Sequence, residues 1–353
     1  MIRVTEDLIK RAKSPWEIYS RDPTSMAQER DEYLERFKPT EYKTIEYYVI
    51  KQNITLLYEQ GMAELNGDSF GELIVYDVDG NRFKFVYQHI QEQRIGKMLT
   101  TKDHVILVVY GDYRKFYENY ISKTKFERHV SRDLWAEVQY YLPKVTKSFE
   151  TADGNFVIIV RKPHSQVYPL ANILEYFDGR MDPRYVASIM TRLYLVAIYC
   201  NLVGVSHNAI TVENIFFSPG RYVPPGEPYT AEDVRVVGVF GGWFFTTNNS
   251  IKITGLPDEK ITALPAKIKS IIPEEVRRSE YGSYKIDMLA IKQVGRELLG
   301  DITGNDLGDI PKPFAEWLNS TYVYPNAYKE FEAWELVRDG SFDKHIFVEM
   351  SLS

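Results

Sequence analysis

Cysteine is almost absent: the chain of 353 residues has one, Cys200. A single thiol cannot close an intramolecular disulfide, and no Cys/His cluster has the spacing of a structural zinc site. Long apolar runs are missing too. No segment approaches the ~20 apolar residues that cross a bilayer, and the opening MIRVTEDLIKRAK lacks the apolar stretch of a signal peptide. A soluble, cytoplasmic protein without membrane attachment is therefore expected. Basic runs are lacking as well. With a net charge of −6, general nucleic-acid binding is not expected, because it needs a concentrated basic face. There is no Gly-x-Ser-x-Gly elbow, no His-Glu-x-x-His pair and no Walker-type phosphate loop. The six histidines are scattered, and no internal repeat or low-complexity tract is found.

What is present is enough apolar material for a sizeable core. Hydrophobic residues make up 44%, with 26 Tyr and 18 Phe, and most of the aromatics are expected inside. The length suits one two-lobed domain of roughly 250–280 residues with a smaller appendage. Residues 1–66 read as helices, broken at Lys38-Pro39-Thr40 and closed by Asn66-Gly67-Asp68. Residues 72–165 read as a β-rich lobe. Leu73–Tyr76 and Arg82–Tyr87 flank the turn Asp79-Gly80-Asn81, His104–Tyr110 and Phe156–Val160 are further strands, and a helical stretch spans about 112–141 with a break near 122–125. Residues 166–353 read as mainly helical. Asp182-Pro183 opens a long apolar helix that carries Cys200 as a core residue and stops at Gly204. Short strands follow at 215–217 and 234–239, then a helix at 286–299 ended by Gly300. The fold class is α+β.

The segment after that long helix carries the most information: Gly204-Val-Ser-His207-Asn-Ala-Ile-Thr-Val-Glu-Asn214-Ile-Phe-Phe. A helix ended by Gly, then His and Asn seven residues apart, then an apolar strand resembles the catalytic loop of protein kinases. In that family an Asp two residues after the His takes the proton of the substrate hydroxyl, and the Asn holds magnesium. Here the Asp position is Ala209, and the lysine usual two residues later is Thr211. The resemblance places a metal-binding Asp-Phe-Gly after the next strand. In Val234–Trp243 the Asp position falls on Gly238 or Gly242, and nothing acidic occurs from Arg235 through Pro257. The strand that should carry the phosphate-pairing lysine is 104–110, with Val108 or Val109 in its place. Glu137 matches the helical glutamate which that lysine would pair. The Gly-rich phosphate loop would fall near Gln91–Met98, which offers only Gly96.

Further on, Ile272-Pro273-Glu274 resembles the Ala-Pro-Glu motif, and Tyr284-Lys-Ile-Asp287 the helix whose Asp braces the catalytic loop. The resemblance implies a small β-rich lobe and a larger helical lobe, with His207, Asn214, Glu137 and Asp287 as remnants of a kinase site. Joint loss of the Lys, both Asp residues and the glycine loop implies a pseudokinase. No catalytic residue, metal or cofactor is expected, and ATP with magnesium is retained only if Asn214 still faces a ligand. The chain resembles phage and bacterial proteins that join a J-domain-like helical segment to a degenerate kinase lobe. Met181–Leu193 resembles their helix opening, and Phe347–Met350 their C-terminal end. Their His-Pro-Asp turn would be Phe37-Lys38-Pro39-Thr40 here, with His and Asp both replaced. Protein partners and a scaffold role are expected, in the host cytoplasm if the source is a phage. A heat-shock chaperone of the seventy-kilodalton class is the partner that turn would engage. Two alternatives stay open: a nucleotide switch or atypical transferase, drawing on Glu213, Asp233 or Glu137 for carboxylates, and a structural or host-takeover component.

Overall fold

Alternating apolar and polar residues from Gly71 onward start the first element of a computed structural model. The structure describes residues 71–124, 132–163, 167–171, 174, 181, 183–218, 235–239, 241–243, 246–248, 266–272, 283–300 and 310–342. The helical segment expected over 1–66, with Lys38, Pro39 and Thr40, lies outside them. So do 273–275 of the Ala-Pro-Glu-like stretch and the C-terminal 347–350.

β1 (Gly71–Tyr76) and β2 (Arg82–Tyr87) form an antiparallel hairpin with Gly71 opposite Tyr87. The turn needs Gly80 at φ +83°, and Asp77 accepts the backbone N–H groups of Asp79 and Asn81. A second turn of the same build follows 74 residues on, with Thr151 in place of Asp77 and Gly154 at φ +80°. The two turns meet through an antiparallel bridge between Asp77 and Thr151.

Five more strands make the main sheet: β3 (His89–Gln93), β4 (Gly96–Thr100), β5 (His104–Val109), β6 (Lys144–Glu150) and β7 (Phe156–Arg161). Their order is β3-β4-β5-β7-β6, antiparallel throughout. Two helices, α1 (Arg114–Lys123) and α2 (Arg132–Val138), are inserted between β5 and β6. Each face of this sheet has its own apolar cluster. On one, Leu99, Ile106, Val108, Val157 and Ile159 meet the hairpin residues Leu73, Val75 and Phe85. On the other, Met98, Leu107, Val109, Ile158 and Val160 join a core that continues into the helical lobe. Val108 and Val109 thus point to opposite faces, Val109 to the one shared with the helices.

Where the sequence reading puts a glycine loop, the structure has a tight hairpin. Gln93 pairs with Gly96 across only Arg94 and Ile95. Ile95 turns into the core, and its carbonyl accepts the Tyr110 N–H at 3.0 Å. A Cβ on Gly96 would come within 1.9 Å of the Val108 carbonyl oxygen. Gly96→Ala must push β4 and β5 apart, and a loss of about 3 kcal/mol in urea unfolding is expected. An unchanged midpoint would mean that this contact is looser than described.

The helical lobe is built around α3 (Pro183–Leu202), buried along nearly its whole length and stopped by Gly204 at φ +75°. Cys200 lies inside it, and burial holds its thiol protonated. Short strands β8 (Tyr168–Pro169), β10 (Ile215–Ser218) and β11 (Arg235–Val239) form one sheet, and β9 (Val205–Ser206) pairs with β12 (Thr247–Asn248). Helices α4 (Ala266–Ile271), α5 (Tyr284–Leu299), α6 (Lys312–Asn319) and α7 (Ala327–Ser341) complete it. No helix among the described residues is long and apolar enough to cross a membrane.

Candidate functional site

The 207–214 loop hangs between two fixed ends, the stop at Gly204 and strand β10. What holds its middle is Asp287, from the first turn of α5. One carboxylate oxygen accepts the His207 N–H at 2.7 Å and the other accepts the Asn208 N–H at 2.8 Å. Two bonds from one side chain bend the loop sharply, and Asn208 takes the left-handed conformation at φ +64°, which Asn tolerates better than most residues. Asp287 is 1% exposed. Its burial outweighs the two amides and raises its carboxyl to about 7.

His207 is fully buried. Its Nδ1 accepts the Ala209 N–H at 3.2 Å, so Nε2 carries the proton and donates to the Gly241 carbonyl at 3.1 Å. Burial lowers its pKa to about 3, and it is neutral at physiological pH. The ring stands edge-on to Trp243 with centroids 4.6 Å apart, while the Trp243 Nε1–H donates to the Val239 carbonyl at 2.7 Å. A neutral, fully bonded imidazole joins the loop to the segment after β11 and has no free nitrogen for proton transfer.

Asn214 turns inward. Its Nδ2 donates to the Ala209 carbonyl at 3.0 Å and lies 3.3 Å from the Thr211 hydroxyl. Its Oδ1 lies against Gly241, where a Cβ would come within 2.3 Å of it. The glycine facing Asn214 side-on is thus Gly241. Gly238 is paired with Phe216 inside β11. Gly242, at φ +79°, leaves no room for a Cβ: one there would come within 2.9 Å of His207, Ala209 and Asn214. Ala209 is completely buried. Glu137 lies on α2, and its side chain lies outside the described residues.

Two contacts here had no sequence signal. Lys267 of α4 reaches Glu213 at 3.1 Å and also pairs with Glu297 of α5, tying α4 to the loop. A lysine paired across 54 residues leaves no local pattern. Gly241 had a faint signal, since a Gly-Gly pair just after a strand marks close backbone approach.

Magnesium is the ion a kinase-like loop implies, and these residues do not fit it. The Asn214 Oδ1 is buried without a hydrogen-bond partner among the described residues and could give one ligand atom, but Glu213 is paired with Lys267, and no three His, Cys, Asp or Glu side chains among the described residues converge to hold a metal ion.

No family profile and no curated protein sequence matches the chain. Among solved structures, vaccinia related kinase 3 is similar at 14% identity and a TM-score of 0.48, over 83% of this chain and 99% of that one. The BubR1 kinase domain is similar at 11% identity and a TM-score of 0.46, over 85% and 95%. A rhoptry antigen kinase domain from Toxoplasma gondii is similar at 11% and 0.42, over 80% and 92%.

Proposed function

We propose that this chain, whose fold is a two-lobed, protein-kinase-like one, is catalytically silent and acts as a protein-binding or scaffold module. The observation that carries the reading is the packing of Gly241 against Asn214. A carboxylate at Gly241 or Gly242 would have to displace the Asn214 side chain, and the neighbouring Ala209 offers no group to accept a proton. The phosphate-pairing position supports the same reading: Val109, on the face shared with the helical lobe, is apolar and buried. A phage origin, a cytoplasmic setting and a J-like N-terminal segment belong to this proposal through the sequence resemblance alone. Among the described residues a transferase reading has no supporting contact: Glu213 is paired with Lys267, and Asp233 and the Glu137 side chain lie outside those residues.

The test is a thermal-shift titration with ATP, with and without magnesium or manganese, beside a phosphoryl-transfer assay. A ligand that binds only the folded state must raise the Tm as its concentration passes the dissociation constant. Millimolar ATP should leave the Tm within about 1 °C, and no phosphate should transfer to a peptide or to the chain. Transfer that is lost in Asn214→Ala would sink the proposal.

A further inference from the structure

We infer that the two lobes are bolted together beside their linker by His89, Tyr168 and Lys162, so that the cleft is shut by the protein's own side chains. The inference rests on the fold and not on the absence of catalysis. Strand β3 puts His89 opposite Thr100, with Gln91 opposite Met98, so His89 shares the Met98 face of the sheet, the one turned toward the helical lobe. Tyr168 begins β8, on the other side of the cleft, where it pairs with Phe217. The chain passes from β7 of the upper sheet to β8 of the lower one between Arg161 and Tyr168. Next to that passage the His89 and Tyr168 rings meet edge to face, with centroids 6.1 Å apart at 90°.

Two planar rings in edge-to-face contact leave no slot for a third between them. Tyr168 is 0% exposed, as expected of a filled seam and not of an open pocket wall. Lys162 fixes the arrangement. Its backbone N–H donates to the Asp103 carbonyl at 2.9 Å, its ammonium donates to the Thr101 carbonyl at 2.9 Å, and that ammonium lies 5.4 Å from the Tyr168 ring centre. Burial lowers the Lys162 amine to about 8 and the His89 imidazole to about 4, so at neutral pH an uncharged ring lies beside the ammonium. On the far side of the lobes, the Asn119 side-chain amide donates to the Thr246 carbonyl at 3.0 Å. The lobes are held at both ends, and the residues between, Met98 and Val160 above and Phe216 below, are buried in one continuous core.

The bolt is tested by emptying it. His89→Gly should lower the Tm by roughly 5–10 °C and leave a ring-sized hole. Millimolar imidazole should recover about half of that fall in the variant and leave the wild type unmoved. Equal shifts in both proteins, or no recovery in the variant, would overturn the inference. Hydrogen exchange on the wild type gives a reading that does not depend on the variant folding. Amides 156–162, 167, 168, 170 and 171 should exchange as slowly as those of β5, with and without adenosine. Fast exchange at the passage between the lobes, or protection gained on adding adenosine, would mean an open hinge. That outcome would leave the proposed lack of phosphoryl transfer intact.

Discussion

Lys292→Met should destabilise the protein by about 3–5 kcal/mol in urea unfolding. Lys292 and Glu330 form an ion pair at 3.0 Å whose partners are 1% and 0% exposed. The pair joins α5 to α7. The ammonium also donates to the Tyr322 carbonyl at 2.7 Å and lies 4.1 Å from the Trp317 ring centre, and Glu330 accepts the Tyr324 N–H at 2.8 Å. With every polar group of the pair engaged, the cost of taking two charges from water is offset inside the fold. Removing one partner leaves a buried charge without its counter-ion, which costs far more than the pair itself contributes. The double variant Lys292→Met, Glu330→Gln keeps an acceptor for Tyr324 and buries no charge, so it should recover most of the loss. If it is as unstable as the single variant, the effect is one of packing and not of charge.

Asp287→Ala should cost about 2–6 kcal/mol, since two buried backbone amides lose their acceptor together. The pH dependence is more informative. The Asp287 carboxyl is raised from 3.8 to about 7, so the fold holds this proton more tightly than the unfolded chain does. Its contribution is complete below pH 3.8 and is lost as pH rises through about 7. His207 and His89 run the other way. Their pKa values are lowered from 6.5 to about 3 and about 4, so their contribution is complete above pH 6.5 and is lost as pH falls through those values. Between about pH 4 and 6.5 the two histidines favour the unfolded state by two protons, and Asp287 opposes them by one. Wild-type stability should therefore fall by about 1.4 kcal/mol per pH unit on acidification, and that of Asp287→Asn by about twice as much. Parallel slopes would mean that Asp287 is ionised throughout.

Much of this arrangement was legible because it is local. The stop at Gly204, the His207–Asn214 spacing and the Asp79-Gly80-Asn81 hairpin are written in runs of a few residues. The choice between Val108 and Val109 was not legible. β5 is apolar on both faces, so it lacks the alternation that tells one face from the other. The glycine opposite Asn214 was missed for a different reason. The β10–β11 ladder shifts register between Phe216 and Phe217, and counting along the sequence cannot see a bulge in its partner. Lys292 with Glu330, and Lys267 with Glu213, join elements far apart in sequence, so only the folded chain reveals them. The identical build of the turns at 77–81 and 151–155 was present in the letters but masked by Thr151 standing where Asp77 does.

The hairpin β1–β2 has a practical consequence for anyone cutting the gene. Numbered from the five-stranded sheet, the domain would seem to begin at His89. A fragment starting there would carry every strand of that sheet yet lay bare Leu99, Ile106, Val108, Val157 and Ile159, a contiguous oily face of the kind that drives precipitation. A fragment meant to stay soluble must therefore keep this hairpin, whose two strands behave as a built-in solubility cover for the five that follow.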